Sequence, residues 1–283
     1  MRRFEYFEPA TLGEALALMA RYQGRAQPLA GGTDLLVELK EQLRRADCVI
    51  NIKKIPGIDG LSFDARNGLR IGALVTSREI EVSPILLQHY PSLVQAAREL
   101  GSIQVRNRAT IIGNVCRASP SADTLPPLIA DGAQVVLHGA RGERQVALED
   151  FFTGPGKTVL EPDELVTEIR VPAPAPRTGK VYIKHGRRKA MELATVGVAV
   201  TLTENAEVKI VLGAVAPTPI RAKRAEQILS GKKIDAAMIE RAAQAAVEEA
   251  RPISNVRASA EYRREMVRVL TRRALERAFE AAK

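Results

Sequence analysis

Apolar residues along this chain change their spacing several times, and each change predicts a new element. Between Thr11 and Met19, the residues Ala15, Leu16, Leu18 and Met19 recur at helical spacing. Glu14 stands three residues after Thr11, the arrangement of a capping box, so Thr11 is expected to cap a helix there. Gln27-Pro28-Leu29-Ala30 leads into a glycine turn, Gly31-Gly32, and a second helix is expected from Thr33 or Asp34 through Leu39 and Leu43. The short apolar run Cys48-Val49-Ile50-Asn51-Ile52 reads as a buried strand. The chain therefore opens as an α/β unit.

Further on, Leu69-Arg70-Ile71-Gly72-Ala73 is a strand candidate. A helical region is expected from Thr76 to about Leu100, broken near Pro84 and Pro91. Ala109-Thr110-Ile111-Ile112-Gly113-Asn114 reads as a strand running into a turn, and a short helix is expected between Asp123 and Ala130. Gln134-Val135-Val136-Leu137-His138 is a strand, with residues 139–142 as its hairpin turn. Pro172-Ala173-Pro174-Ala175-Pro176 can continue neither a ladder nor a helix, which predicts a domain boundary. Beyond it, strands are expected at 180–185, 194–202 and 208–214, and helices at about 221–229 and 236–250. The final helix, about 258–282, is expected to place Tyr262, Met266, Val269 and Leu270 on one face. The last part thus reads as α+β, an antiparallel sheet with packed helices.

Composition narrows the function. With 46% hydrophobic and 27% charged residues, the 283-residue chain suits two or three compact globular units. Two cysteines, Cys48 and Cys116, and three scattered histidines, His89, His138 and His185, cannot form a four-cysteine cluster or a zinc site. A cluster needed by any redox path must therefore sit on another subunit. The net charge of +9 is spread among acids and accompanied by only 4% aromatics, which argues against nucleic acid as a partner. A solvated face or a docking face for an acidic partner fits it better. No stretch reaches the roughly 18 apolar residues of a membrane span. Met1-Arg2-Arg3-Phe4-Glu5 is not followed by an apolar segment, so a cytoplasmic location is expected.

Two segments carry candidate chemistry. In residues 29–35, adjacent glycines let the backbone approach a ligand, and successive N–H groups can form a nest for phosphate oxygens. Thr33 and Asp34 would open a helix whose first N–H groups add to that anion site. A plain loop and helix cap accounts for the same residues equally well. In residues 110–123, Gly113 and Asn114 suit a tight turn, and hydroxyls, an amide and the Asp123 carboxylate lie close together in sequence. These groups can bind a dinucleotide, or form an Asn-capped turn and a Ser/Pro loop. No G-x-G-x-x-G motif follows a strand, and no Walker A, G-x-S-x-G or H-E-x-x-H motif occurs. Two phosphate-friendly turns without a familiar nucleophile suggest cofactor binding without hydrolysis.

Over nearly its whole length the chain resembles the flavin subunits of the molybdenum hydroxylases, among them the medium subunit of carbon-monoxide dehydrogenase and the FAD domain of xanthine dehydrogenase. The matching residues include Phe4-Glu5-Tyr6, Ala30-Gly31-Gly32-Thr33-Asp34-Leu35, Gly72-Ala73-Leu74-Val75-Thr76 and Arg106-Asn107-Arg108-Ala109-Thr110-Ile111-Ile112-Gly113-Asn114. They continue with Ser119-Pro120-Ser121-Ala122-Asp123, Pro162-Asp163-Glu164-Leu165-Val166-Thr167-Glu168-Ile169 and Tyr182-Ile183-Lys184-His185-Gly186-Arg187-Arg188. The resemblance implies an α+β protein. Residues 1–55 and 56–173 would be the two parts of an FAD-binding domain of the vanillyl-alcohol-oxidase/MurB-like (PCMH-type) fold. Residues 177–283 would be a C-terminal α+β domain of the CO dehydrogenase flavoprotein type.

The resemblance also implies FAD as cofactor, extended, with its pyrophosphate over the first glycine turn. By position, Leu29, Ala30, Gly31, Gly32, Thr33, Asp34 and Leu35 would contact the diphosphate and adjoining atoms. Gly101, Thr110, Gly113, Asn114 and Asp123 would line the rest, and Val166 and Lys184 match positions beside the flavin. The implied task is electron transfer. A large subunit with the molybdenum cofactor would carry the substrate chemistry, and a small subunit would hold 2Fe–2S clusters. This chain would pass electrons between those clusters and NAD or another acceptor, with no metal and no catalytic residue of its own. The alternatives are a stand-alone flavin oxidoreductase of the same fold, or a non-catalytic interaction subunit with a decayed flavin site.

The chain departs from the family pattern at Ile112, where the family has the first of two glycines. An isoleucine there requires negative φ and adds bulk where backbone is expected to approach FAD. Lys184 is read either as a charge that stabilises reduced flavin or as a surface lysine on a strand. Cys48 is expected to be buried in its strand, Cys116 to be a small packed side chain, and His185 to be partly exposed. Arg106 and Arg108 face either a partner or the FAD phosphates.

Overall fold

The computed structural model describes residues 1–283. The chain opens with β1 (Glu5–Phe7), α1 (Leu12–Tyr22), β2 (Ala26–Leu29), α2 (Leu35–Lys40) and β3 (Cys48–Asn51), whose strands form a parallel sheet in the order β1-β3-β2. Thr11 accepts the Glu14 N–H at 3.2 Å, while the Glu14 carboxylate accepts the N–H of Ala10, one residue earlier than in a strict capping box. Central β3 is buried along its length, as a parallel strand covered on both faces must be. α2 is shorter than its apolar pattern suggested. Asp34 stands at its N-cap without a side-chain cap bond, and Leu43 lies beyond its end, largely exposed.

A five-stranded antiparallel sheet follows, in the order β4-β5-β10-β6-β7. It is built from β4 (Leu61–Asp64), β5 (Gly68–Gly72), β6 (Gln134–Gly139), β7 (Gly142–Ala147) and β10 (Leu165–Val171), with a small ribbon of β8 (Phe152–Gly154) and β9 (Lys157–Thr158) before β10. Between β5 and β6 run α3 (Ser77–Val82), α4 (Pro84–His89), α5 (Pro91–Glu99), α6 (Ile103–Arg106), α7 (Ile111–Arg117) and α8 (Leu125–Ala130). Pro84 and Pro91 each open a helix, where a missing N–H costs nothing. The breaks expected at these prolines are therefore helix starts.

Residues 109–114 correct the expected strand and turn. Thr110 is extended and caps α7, and Ile111 to Asn114 are helical. The β-branched run suggested a strand, but the Thr110 cap and burial of Ile111, Ile112 and Val115 outweigh that propensity.

The third sheet is antiparallel, β11 (Thr178–His185), β12 (Val196–Thr203), β13 (Val208–Gly213) and β14 (Ile220–Arg221) in that order. α9 (Lys223–Leu229), α10 (Ala236–Glu249) and α11 (Ala260–Ala281) pack on this part, while α5 and α8 meet β11, β12 and β13 from the preceding unit. The face expected of the last helix is corrected. α11 buries Arg263, Val267, Leu270, Ala274, Leu275 and Ala278, whereas Tyr262 is exposed. The stripe begins with an arginine, whose guanidinium donates to the carbonyls of Thr195 (2.6 Å) and Ala214 (3.1 Å) and to Asn255 Oδ1 (2.9 Å).

Two cores result. One takes in the first two sheets together with Tyr182, Ala199 and Val211 of the third; the other lies wholly in the C-terminal part. At their junction Lys180 Nζ lies 2.7 Å from Asp131 Oδ1 and 4.3 Å from the centroid of the Tyr90 ring. Thr201 Oγ1 donates to the same carboxylate at 2.9 Å, and Tyr90 OH donates to the Pro172 carbonyl at 2.8 Å. Lys180 and Asp131 are 3% and 2% exposed, so removing one partner strands a charge. Lys180→Ala is expected to lower stability by about 3–5 kcal/mol in urea denaturation. A loss below about 1 kcal/mol, the range of exposed pairs, would show that this pair does not secure the junction.

Candidate cofactor site

A cleft of about 390 Å³ lies between the glycine turn after β2, the start of α7, and residues 156–166. A Cβ on Gly31 would come 1.9 Å from the Arg108 carbonyl oxygen, so only glycine allows the turn to close against residues 108–109. Gly32 has φ of +75°, which directs the chain back into α2. The N–H groups of Gly31, Gly32, Thr33, Asp34 and Leu35 meet no acceptor within the chain. A run of unpaired amides at the wall of a cleft can receive an anion.

Across the cleft Thr110 Oγ1 accepts the Gly113 N–H at 3.0 Å. A Cβ on Gly113 would sit 2.7 Å from that hydroxyl. The glycine thus serves the helix cap and not a left-handed turn. Ile112 is helical and buried, and its side chain lines the cleft, so the residue that departs from the family pattern adopts its backbone conformation without strain. Asn114 Oδ1 accepts from Thr124 Oγ1 at 2.7 Å, leaving its amide nitrogen unpaired.

Of the residues expected at the site, Ala30, Gly31, Gly32, Thr33, Asp34, Leu35, Thr110, Gly113, Asn114 and Val166 line this cleft. Four do not. The methyl Cδ1 of Leu29 packs against Gly32, and Gly101, at φ +52°, follows the lining residue Leu100. Asp123 and Lys184 form an ion pair of 2.9 Å, with side chains 7% and 5% exposed. Lys184 also donates to the carbonyls of Glu99 (2.9 Å) and Glu192 (2.7 Å), which uses all three of its N–H groups. Tyr182 OH donates to Asp123 Oδ1 at 2.8 Å. Burial pushes the Asp123 carboxyl up to about 6, against the opposing pull of Lys184 and Tyr182. The surface-lysine reading of Lys184 is therefore corrected. The pair braces the wall from behind, through Glu99 on one side and Thr124 and Asn114 on the other.

Other residues resolve as follows. Arg106 Nε donates to Glu81 at 2.8 Å and its NH1 to the Leu100 carbonyl at 3.0 Å, which ties α6 to α3. Arg108 is exposed, and its carbonyl meets Gly31. Cys116 lines the cleft, and burial pushes its thiol up to about 12, a poor nucleophile at neutral pH. Cys48 is buried in β3. Glu38, Arg44, Arg117, Gly156, Thr158 and Leu160 also stand in the cleft wall, outside the residues that the sequence singles out. Only Glu38 had a hint, its helical spacing from Asp34. No group of three or more His, Cys, Asp or Glu side chains is arranged to hold a metal. No helix is long and apolar enough to cross a membrane.

FAD combines a diphosphate with a flat, largely apolar ring system. The free amides suit the first, and Ile52, Ala73, Leu100, Val105, Ile112 and Val166 give an apolar wall for the second. A family model described as the FAD binding domain in molybdopterin dehydrogenase matches residues 2–174, and one described as the CO dehydrogenase flavoprotein C-terminal domain matches 181–278. The chain belongs to the FAD-binding medium subunits of the xanthine dehydrogenase/CO dehydrogenase family of molybdenum hydroxylases. It is 36% identical to the carbon monoxide dehydrogenase medium chain of Hydrogenophaga pseudoflava, covering 98% of this chain and 97% of that one. Against a putative xanthine dehydrogenase FAD-binding subunit of Escherichia coli (strain K12), identity is 33%, over 98% and 96% of the two chains. Among solved structures, carbon monoxide dehydrogenase from Hydrogenophaga pseudoflava matches with a TM-score of 0.94, at 36% identity, over 99% of this chain and 98% of that one.

Gly31→Ala is expected to push the turn away from residues 108–109 and to weaken FAD binding at least about ten-fold, with an overpacking cost of about 1–3 kcal/mol. Flavin fluorescence titration and urea denaturation measure the two effects. Unchanged FAD affinity would show that the close approach at Gly31 does not shape the site.

Proposed function

We propose that this chain holds FAD in the described cleft as the electron-transfer subunit of a multi-subunit molybdenum hydroxylase. The observation that carries the reading is the run of unpaired amides from Gly31 to Leu35, facing α7 across a cleft with an apolar wall. In this reading Gly31, Gly32, Thr33, Asp34 and Leu35 take the diphosphate, beside Ala30. Thr110, Gly113, Asn114 and Val166 contact the remainder. Leu29, Gly101, Asp123 and Lys184 hold the wall in position. FAD, when bound, supplies the exchange between one-electron and two-electron carriers. The chain's own residues bind it, orient it and exclude water from the apolar wall.

The reading includes a large subunit with the molybdenum cofactor, a small subunit with 2Fe–2S clusters, and NAD or another terminal acceptor. Support comes from the relatives, which are named as subunits or medium chains of dehydrogenases. It also includes a cytoplasmic location, in keeping with two thiols left unpaired. The division into 1–55, 56–173 and 177–283 is supported by three sheets confined to residues 5–51, 61–171 and 178–221.

The full chain, purified and incubated with FAD, is expected to bind about one FAD and turn yellow, yet to show no substrate turnover without its partner subunits. Absorption spectra and a turnover assay with and without partners check both points. A chain that stays colourless, both alone and within the complex purified from its source, would overturn the reading. Turnover by the isolated chain would replace it with a stand-alone oxidoreductase.

A further inference from the structure

The cleft wall contains two cationic side chains, Arg44 and Arg117, and four carboxylates, Asp34, Glu38, Glu161 and Glu164. A cationic side chain in such a site would add a charge-assisted contact to what the backbone amides offer a diphosphate. Glu164 is already neutralised by Arg144, whose Nε lies 2.6 Å from it. Glu38 joins the two arginines: its Oε2 accepts from Arg44 Nε at 2.7 Å, and its Oε1 lies 2.8 Å from Arg117 NH2. Its side chain is only 13% exposed, so its position is well defined.

The arginines differ in what they have left. Arg44 also donates through NH1 to Gln27 Oε1 at 2.8 Å, so two of its three nitrogens are engaged. Arg117 Nε is 3.8 Å from Asp34 Oδ1, too far for a hydrogen bond, and its NH1 lies against Gly156, 3.4 Å from where a Cβ there would sit. The Arg117 head group therefore sits in the cleft wall that residues 31–35 also line, with NH2 held by Glu38, Nε toward Asp34 and NH1 toward Gly156. A fixed guanidinium edge matches phosphate oxygens in planar geometry.

We propose that Arg117 is the side chain that binds the diphosphate of FAD, and that Glu38, itself held by Arg44, is its positioning residue. This assignment rests on the FAD reading of the cleft. It makes the glycine turn one half of the phosphate site and the last turn of α7 the other. Losing Arg117 leaves Glu38 paired with Arg44, so the fold without cofactor tolerates the change.

The test is FAD affinity, measured by flavin fluorescence on the full chain and on Arg117→Ala, Arg117→Lys and Glu38→Gln, with urea denaturation of each cofactor-free protein. Arg117→Ala is expected to lose about ten- to a hundred-fold in FAD affinity, the effect of a charge-assisted hydrogen bond to an ionised group. Its cofactor-free unfolding midpoint should be unchanged. Arg117→Lys should keep part of the affinity, and Glu38→Gln should lose less than Arg117→Ala. The native chain's affinity should fall with salt more steeply than that of Arg117→Ala. If Arg117→Ala binds FAD within about two-fold of the native chain, the arginine assignment fails and the FAD reading stands. If its affinity falls only together with its unfolding midpoint, the role is structural and the assignment also fails. A native chain that binds no FAD, alone or in its complex, overturns both.

Discussion

The structure turns on one close approach, that of the Gly31 backbone to the Arg108 carbonyl. It joins the small parallel sheet to the helical excursion of the second sheet, and it leaves no room for a β-carbon. The amides of residues 31–35, which follow that contact, find no acceptor in the chain, and their residues line the shared cleft. Residues 31–35 are only partly buried or exposed, so these amides are open to water and to an anion that enters the cleft. The relation of two sheets and the course of a loop thus follow from one steric constraint.

The C-terminal sheet is fastened by a different kind of contact. Lys180, Tyr182 and Lys184 lie two residues apart and so share one face of β11. Lys180 meets Asp131 near Tyr90; Tyr182 and Lys184 meet Asp123. The edge of the strand is occupied too, since the Tyr182 N–H donates to Gln95 Oε1 at 2.9 Å. Charged groups are costly to bury unless paired, and here each lysine has its own acid. The same face therefore docks the C-terminal part and stiffens the wall behind the cleft, because Asp123 adjoins the Thr124–Asn114 contact.

That face also shows where sequence reading fails. The alternation Lys180-Val181-Tyr182-Ile183-Lys184 looks like a strand with one wet face, yet both faces are covered: one by α5 and α8, the other by the C-terminal core. Partners distant in sequence, Asp131 and Asp123, decide the matter. The same reason hid Arg263 at the start of the α11 stripe. β10 escaped notice although it is the centre of its sheet, because Glu168 and Arg170 interrupt its apolar run; Glu168 pairs with both Arg170 and Arg70. By contrast, the interruptions at Pro84 and Pro91, the hairpin at Gly139 and Gly142, and the glycine turn were legible, since their chemistry is local. Most of the residues assigned to the cleft by resemblance do line it, while Glu38 had only its helical spacing from Asp34 as a signal, and Arg44 and Arg117 had none, because their contacts depend on the fold.

The backbone of residues 31–35, without acceptors in the chain, is open to a phosphate-bearing cofactor. Hydrogen exchange of those five amides, followed with and without FAD, tests it most directly. The account predicts fast exchange in the cofactor-free chain and marked slowing when FAD is present, with little change in the C-terminal sheet. Exchange that FAD leaves unaltered at residues 31–35, while FAD is bound, would contradict it.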